Sequence, residues 1–197
     1  MSLPQPDPFL LRRAQRGDEA AFRTIVETYS TPVFNYVLRL TGDRANAEDL
    51  TQEVFFRVFQ ALPGFSSRCT FTTWLFQVTK NRVLDEFRAR ERRPRAVVNI
   101  DDMPMLSVVD RPFEEGEAIE GVWRAVRELN PDLKMALLLR DIVGLAYTEI
   151  ADTLEITLST VKWRIYKARE EVQLAVAREG LAFGELPAAA AELEQPY

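Results

Sequence analysis

Apolar side chains return every three or four residues along most of this 197-residue chain, and this spacing restricts the chain to helices. Between positions 45 and 62, Leu50, Val54, Val58 and Leu62 recur at every fourth residue. Such steps follow the α-helical period of about 3.6 residues, whereas a strand would alternate at every second residue. Only 8 glycines interrupt the pattern, so the sequence predicts an all-α fold.

Proline and glycine divide this pattern into separate helices. Asn130-Pro131 has the capping residue and the first-turn proline of a helix start, and Pro63-Gly64 is a stop. Pro32 lies inside an apolar stripe and is expected to kink or split its helix. We expect helices over about 8–17, 18–41, 45–62, 71–93, 130–144, 147–154 and 158–178, with another that ends near residue 129.

Charge and proline content separate two helical halves. The net charge of −5 is uneven: residues 1–95 carry +4, residues 96–120 carry −6, residues 121–179 are neutral, and residues 180–197 carry −3. The acidic stretch also holds Pro104 and Pro112, which is typical of a linker. We therefore expect two small helical domains at 8–95 and 117–178, a flexible acidic linker at 96–116 and a C-terminal tail at 179–197.

The composition excludes several classes of function. Cys69 is the only cysteine and the chain has no histidine, so an internal disulfide, a cysteine–histidine zinc site and a catalytic histidine are all excluded. The lone thiol is expected to be incidental, because a redox sensor needs a lowered thiol pKa. No apolar run reaches membrane-spanning length and no signal-peptide pattern opens the chain. We expect a cytoplasmic protein with no cofactor, no metal and no enzymatic activity.

The helix predicted at 45–62 has a polar face away from its apolar stripe. Asp49, Gln52, Glu53 and Phe56 lie on that face. Carboxylates and an amide beside an exposed aromatic ring suit a basic protein partner. An ordinary solvated face has the same composition, and these residues alone leave both interpretations open.

The helix predicted at 71–93 is basic towards its end and follows a segment rich in aromatic and hydroxyl side chains. This combination is typical of a surface that handles nucleic acid, since lysine and arginine contact phosphates and aromatic rings stack on bases. Phe71, Trp74 and Phe76 stand at helical spacing, so we expect most of them in the core and at most one against a base.

Residues 144–169 predict a helix-turn-helix. Ile150, Ala151, Val161 and Ile165 are small or aliphatic where two helices would cross, and only three residues connect the helices. From 158 to 169 there are four basic residues and no acidic one. The N-terminal end of such a helix enters the major groove of DNA. The alternative is a basic solvated face on a packing helix.

Three segments carry a resemblance to a known family. They are AEDLTQEVFFRVF, PGFSSRCTFTTWLFQVTKNRVLDEFR and GLAYTEIADTLEITLSTVKWRIYKARE. In their order and spacing they resemble the two domains of the extracytoplasmic-function sigma factors, the small alternative sigma subunits of bacterial RNA polymerase. The resemblance covers roughly residues 8–95 and 117–178.

The resemblance implies three binding surfaces. Core polymerase would dock on Asp49, Gln52, Glu53 and Phe56. Flipped bases of the −10 element would be held by a loop and the helix after it, through Phe65, Ser66, Ser67, Arg68, Thr70, Lys80, Asn81 and Arg88. Duplex DNA of the −35 element would meet the second helix of the helix-turn-helix, where Lys162, Trp163 and Lys167 are the expected readers and Ser159, Thr160, Arg164, Tyr166 and Arg169 are expected to set position.

Three positions depart from the family pattern, and two more differ from housekeeping sigma factors as is normal for the smaller group. Gln77 and Val78 stand where housekeeping sigma factors carry a tryptophan wedge, which implies melting by base capture and a narrow choice of promoter. Ala146 lacks the hydroxyl cap that many relatives have before the helix-turn-helix, so packing must compensate for it. Glu155 replaces a turn glycine, and Trp163 replaces a residue that is usually small.

The implied partners are core RNA polymerase, promoter DNA and an anti-sigma factor that would cover the docking and DNA faces. One alternative is a stand-alone helix-turn-helix activator or repressor, which would bind duplex DNA tightly without polymerase. Another is an α-helical enzyme such as a nucleotide hydrolase, for which the sequence offers no P-loop and no metal-ligand cluster.

Overall fold

A computed structural model describes residues 3–92 and 117–178, and all the regular structure in those ranges is helical. The predicted all-α architecture of two helical domains is confirmed. The linker and the tail predicted from the sequence lie outside the described residues. The helices are α1 Pro8–Gln15, α2 Glu19–Thr41, α3 Arg44–Ala61, α4 Phe71–Arg92, α5 Glu117–Glu128, α6 Pro131–Leu138, α7 Tyr147–Leu154 and α8 Leu158–Arg178.

Local chemistry explains where the helices begin and end. The carboxylate of Asp7 accepts hydrogen bonds from the first backbone amides of α1, and the amide oxygen of Asn130 accepts one from Asp132 at the start of α6. These contacts satisfy amides that have no partner within the helix. Gly42 and Gly144 adopt left-handed backbone angles, with φ of 69° and 82°, at the predicted stops.

Of the two outcomes expected at Pro32, a kink or a split, the split does not occur, because α2 continues from residue 19 to residue 41. One element differs from the expectation. The segment expected as one helix to Gly144 instead changes after Leu138 into a π-helical turn over Leu139–Val143. A hydrogen bond of 3.0 Å from the amide of Leu145 to the carbonyl of Leu139 closes this wider turn.

Each domain has an apolar interior. In the first, α2, α3 and α4 surround buried side chains such as Tyr36 and Phe76, whose rings meet edge to face with centroids 5.5 Å apart. In the second, α5 and α6 pack on the inner face of α8, which buries Val161 and Ile165. Among the helices of the described residues, none combines the length and the apolar character that crossing a membrane requires.

The two domains contact each other along two seams. Helix α7 packs against α4, and α6 with the π-helical turn packs against α2. Near the second seam the guanidinium of Arg39 lies 3.6 Å from the centre of the Trp123 ring, within the range of a cation–π interaction. The first domain is therefore covered in part by the helix-turn-helix domain.

Candidate protein-docking and nucleic-acid interfaces

The polar face of α3 is exposed as one surface. Leu50, Val54 and Val58 point inward and are buried, which turns the opposite side of the helix towards solvent. We call this side the docking face. Its members are all exposed: Asp49, Gln52, Glu53 and Phe56.

Glu53 is tied to the protein's own basic residue. Its carboxylate accepts a hydrogen bond from Arg82 on α4, and Arg82 also pairs with Glu86 at 3.2 Å. The hydrogen bond from Arg82 lowers the pKa of Glu53 below its ordinary value. A protein partner would thus meet a Glu53 carboxylate whose negative charge is partly compensated by Arg82. The sequence pattern did not indicate this ion pair.

Two phenylalanines give the docking face an apolar edge. Phe56 is 62% exposed and Phe59 is 42% exposed. The ring of Phe59 packs against that of Phe22, with ring centroids 5.0 Å apart. Exposed aromatic rings are common at protein interfaces, so Phe59 is a candidate contact that sequence reasoning missed.

The loop before α4 combines an exposed rim with a buried anchor. Ser66, Ser67 and Arg68 are exposed, and Ser67 adopts a left-handed φ of 54°. Phe65 is only 8% exposed, and its ring lies 5.0 Å from that of Trp74. In this arrangement the side chain of Phe65 supports the loop from below and does not face solvent, unlike the base-contacting role that the resemblance implies.

Thr70 connects this loop to α4. Its hydroxyl accepts a hydrogen bond of 3.2 Å from the amide of Thr73, which caps the helix, and it donates to Glu149 of α7 at 3.0 Å. Phe71 and Phe76 are buried and Trp74 is partly buried, as the helical spacing of these aromatics predicts. Trp74 is thus the one ring of the three with access to solvent.

The three predicted −10 residues on α4 lie in different environments. Lys80 is buried, with a side chain only 8% exposed, and its ammonium group pairs with Glu155 at 2.9 Å. Asn81 is exposed, and so is Arg88, which is 3.5 Å from Asp85 on the same helix. The burial of Lys80 was not anticipated.

Cys69 lines a cleft between the loop and the helix-turn-helix. Gln77, Asp152 and Glu155 lie in the same cleft. Burial, together with the negative charge of Asp152, raises the pKa of the Cys69 thiol. A raised pKa disfavours the reactive thiolate, which agrees with the interpretation of Cys69 as an incidental thiol.

The helix-turn-helix has the predicted geometry. Helices α7 and α8 are joined by three residues, and Glu155 there adopts a φ of 59°, a left-handed angle that usually favours glycine. At the other end of α7 the amide of Ala146 donates to the carboxylate of Glu149 at 3.0 Å. This contact is one of the two hydrogen bonds of a capping box. The side chain of Glu149, together with packing, therefore compensates for the capping hydroxyl that Ala146 lacks.

The predicted −35 residues fall into two groups: some project into solvent, and the others are held in ion pairs or partly buried. Arg164 pairs with Asp132 and Arg169 with Asp141, each at 2.6 Å, and these ion pairs fasten α8 to α6 and the π-helical turn. Lys167 pairs with Glu170 on its own helix, also at 2.6 Å. Thr160 is partly buried at the capped start of α8. The side chains that project into solvent are Ser159, Lys162, Trp163 and Tyr166.

Comparisons with known proteins agree on one family. Residues 25–93 match Sigma-70 region 2, and residues 119–172 match Sigma-70, region 4. The chain is 31% identical to the RNA polymerase sigma-H factor of Pseudomonas aeruginosa, over 87% of this chain and 94% of that protein. It is also 31% identical to the ECF RNA polymerase sigma-E factor of Escherichia coli K12, over 87% of this chain and 95% of that protein.

Two solved structures have a similar fold. One is CnrH in complex with the cytosolic domain of CnrY, with a TM-score of 0.66, 20% identity, and coverage of 86% of this chain and 96% of CnrH. The other is the sigma factor RpoE in complex with the anti-sigma factor NepR from Bartonella quintana, with a TM-score of 0.67, 22% identity, and coverage of 79% and 96%.

Proposed function

The chain belongs to the extracytoplasmic-function sigma factors of bacterial RNA polymerase, and from this premise we propose how its surfaces divide the work of promoter recognition. Sigma factors are initiation factors and not catalysts, so RNA synthesis stays on the polymerase. The alternative of a stand-alone regulator is not favoured, because both helical halves match sigma-factor regions.

In this proposal, residues 8–95 and 117–178 are the two functional domains. The docking face of α3 binds the core enzyme through Asp49, Gln52, Glu53 and Phe56. The single observation that carries this assignment is that these residues form one exposed face opposite the buried stripe of α3. An acidic face with an aromatic edge suits a basic surface on the polymerase.

The second domain would recognise −35 duplex DNA through α8. Lys162 and Trp163 project into solvent from the N-terminal half of this helix, the part that enters the major groove in helix-turn-helix proteins. Lysine at this position can donate to guanine acceptors. Arg164 and Arg169, which the resemblance implies as positioning residues on DNA, are held in internal ion pairs that fasten α8 to the rest of the domain.

The first domain would capture −10 bases as a single strand. The loop that Phe65 anchors exposes the hydroxyl-bearing residues Ser66, Ser67 and Thr70. The other proposed donors of this domain are Arg68, Lys80, Asn81 and Arg88. Unstacking a base step costs a few kcal/mol, of the order of 2–4. Capture of the flipped base can offset this cost, because hydrogen bonds and stacking replace those lost from the duplex.

An anti-sigma factor is the proposed regulator. The resemblance of this chain to its family implies such a partner, and one of the structural relatives is described in complex with an anti-sigma factor. A regulator of this kind would cover the docking face and the DNA-binding surfaces. Affinity purification of the full chain from its native cell, with identification of co-eluting proteins, would test this partner.

The decisive experiment is initiation in a purified system. The full chain is mixed with core RNA polymerase and genomic DNA, and the transcript starts are sequenced. Starts that share −35 and −10 motifs support the proposal, and the absence of directed initiation contradicts it. Asp49→Lys is expected to abolish co-elution with core polymerase, whereas Glu48→Lys, on the same exposed helix, serves as the matched control.

A further inference from the structure

Helix α7 of the second domain covers the part of the first domain that is proposed to hold the −10 strand. Three donors of the first domain point at α7 and the turn after it. Thr70 donates to Glu149 at 3.0 Å, Gln77 donates to the backbone carbonyl of Asp152 at 2.8 Å, and Lys80 pairs with Glu155 at 2.9 Å. These donors would otherwise be available to a nucleic acid.

The hydrogen-bond donors in this seam are of the kinds that proteins use to bind a nucleic-acid strand. A nucleic-acid strand presents negative phosphates, and lysine ammonium and hydroxyl groups are among their usual donors. In the structure two carboxylates, Glu149 and Glu155, accept from such donors instead. The ammonium group of Lys80 is almost fully covered by this contact, with 8% of its side chain exposed.

The covered arrangement is incompatible with simultaneous binding of both promoter elements. The −35 and −10 elements lie roughly 25 base pairs apart, which is about 85 Å of duplex at 3.4 Å per base pair. Helices α4 and α7 are in contact here. The two domains must therefore separate before one holds −10 bases while the other binds −35 duplex.

The chain allows that separation. Residues 93–116 connect α4 to α5, and 24 residues of covalent chain can span up to about 80 Å when fully extended. The 22 residues of α4 and the 21 residues of α8 add about 30 Å of reach each. The seam includes three polar contacts at which water and DNA can compete. The recognition side of α8 lies away from it, since Trp163 and Tyr166 are 59% and 57% exposed.

We infer that α7 and its following turn act as a built-in cover of the −10 site, in which Glu149 and Glu155 occupy positions that strand phosphates would take. The inference rests on the proposed function of Thr70 and Lys80 in −10 binding. Strand capture by the free protein then competes with the protein's own second domain. Polymerase binding that holds the domains apart would relieve this competition.

The test compares the free protein with the holoenzyme. The start sites mapped with the wild-type holoenzyme supply the −10 sequence, and a fluorescent single-stranded oligonucleotide of that sequence is the probe. Anisotropy titrations are run with the wild type, Glu155→Gln, Glu149→Gln with Glu155→Gln, and the control Glu128→Gln. The control makes the same change of charge at an exposed position of α5.

The double variant is expected to bind the oligonucleotide about tenfold more tightly than the wild type, and the control is expected to match the wild type. In the holoenzyme, where the domains are already apart, the variants should keep the wild-type start sites. Alkylation of Cys69, which lines the seam, should also be faster in the double variant. Circular dichroism verifies that each variant is folded.

Different failures point to different errors. Equal oligonucleotide affinity and equal Cys69 alkylation in the double variant and the wild type, with normal initiation by the holoenzyme, would overturn the cover and leave the proposed function intact. A holoenzyme that starts no transcripts would overturn the proposed function itself. Faster alkylation without tighter strand binding would show that the seam opens but does not compete with DNA, which also contradicts the cover.

Discussion

At the scale of single residues, an internal ion-pair partner distinguishes the basic residues that stabilise the fold from those that are free to contact DNA. On α8, Lys162 projects into solvent, whereas Arg164 is only 17% exposed and pairs with Asp132 at the start of α6. A basic residue with an internal carboxylate partner contributes to the fold, and one without such a contact is better placed to meet DNA. This difference leads to opposite expectations for two neighbouring substitutions.

Lys162→Ala is expected to weaken promoter binding by about 1–3 kcal/mol if the lysine contacts a base, with little change in the free energy of unfolding. Arg164→Ala is expected to lower the free energy of unfolding by about 1 kcal/mol, because it leaves Asp132 unpaired. Urea denaturation and holoenzyme binding to promoter DNA measure the two effects. The same pattern of losses in both variants would contradict this division of roles.

Glu53 contributes to stability in a pH-dependent way. The hydrogen bond from Arg82 lowers the pKa of Glu53 in the folded protein, so its contribution is present above the ordinary pKa of 4.5 and is lost as pH falls through the lowered value. Glu53 is half exposed, and the contribution should stay below about 1 kcal/mol.

Glu53→Gln should therefore reduce the free energy of unfolding at pH 7 and reduce it less at a pH below the lowered pKa. Urea titrations at both pH values measure the difference between the variant and the wild type. Asp49→Asn removes a charge from the same face and is the control. An equal loss at both pH values would show that the Arg82 hydrogen bond is not the cause.

At the scale of helices, the sequence predicted most boundaries because local chemistry decides them. Asp18 accepts from the amide of Ala21 at 3.0 Å and Asn130 accepts from that of Asp132, contacts that span two or three positions of the chain. The helix-turn-helix bounds of 147–154 and 158–178 were predicted correctly for the same reason. The sequence also predicted a turn at Glu155, because this residue lies in the short connection between the two predicted helices.

Other features depend on residues that are far apart and were not predictable. The burial of Lys80 depends on Glu155, 75 positions later, and the burial of Phe65 depends on how Trp74 packs beneath the loop. The π-helical turn at Leu139–Val143 has no local pattern that distinguishes it from an ordinary helix end. The resemblance to a family gave the site residues but not these environments.

The start of α7 offers a test of capping. Ala146 has extended backbone angles and no acceptor in its side chain. Ala146→Ser would supply an acceptor for the first-turn amides and should raise the free energy of unfolding by about 1 kcal/mol. Ala146→Val, which adds bulk but no acceptor, is the control. Equal stabilities of the serine and valine variants in urea would show that Glu149 already completes the cap.

At the scale of the whole molecule, the relation between the domains was not predictable from sequence. The hydrogen bonds between the first domain and the helix-turn-helix involve polar groups that no apolar periodicity reveals. The relative position of the domains depends on these donors and acceptors, on the packing of α6 and the π-helical turn against α2, and on the stacking of Arg39 on Trp123. Solution conditions that act on these groups should shift the distance between the domains.

Acid is expected to loosen the contact between the domains. The hydrogen bond from Lys80 lowers the pKa of Glu155, so the contact is supported at neutral pH and weakens as pH falls through the lowered pKa. Arg68 and Asp152 line the same cleft.

Small-angle X-ray scattering of the wild type should show a larger radius of gyration at a pH below the lowered pKa of Glu155 than at pH 7. Glu155→Gln, which cannot titrate at this position, should show a smaller change. Circular dichroism at both pH values separates domain movement from unfolding. An identical radius at both pH values in the folded wild type would contradict the role of this ion pair.

The outward position of α8 has a consequence for how the molecule finds its targets. Trp163 and Tyr166 face solvent while Lys80 is enclosed. Under the roles proposed for these residues, a molecule without polymerase would contact double-stranded DNA but would not hold melted bases. It can sample sites by sliding and hopping without opening any of them. Occupancy of a chromosomal locus by this protein would then indicate binding without initiation. Transcription would start at that locus only after polymerase binds.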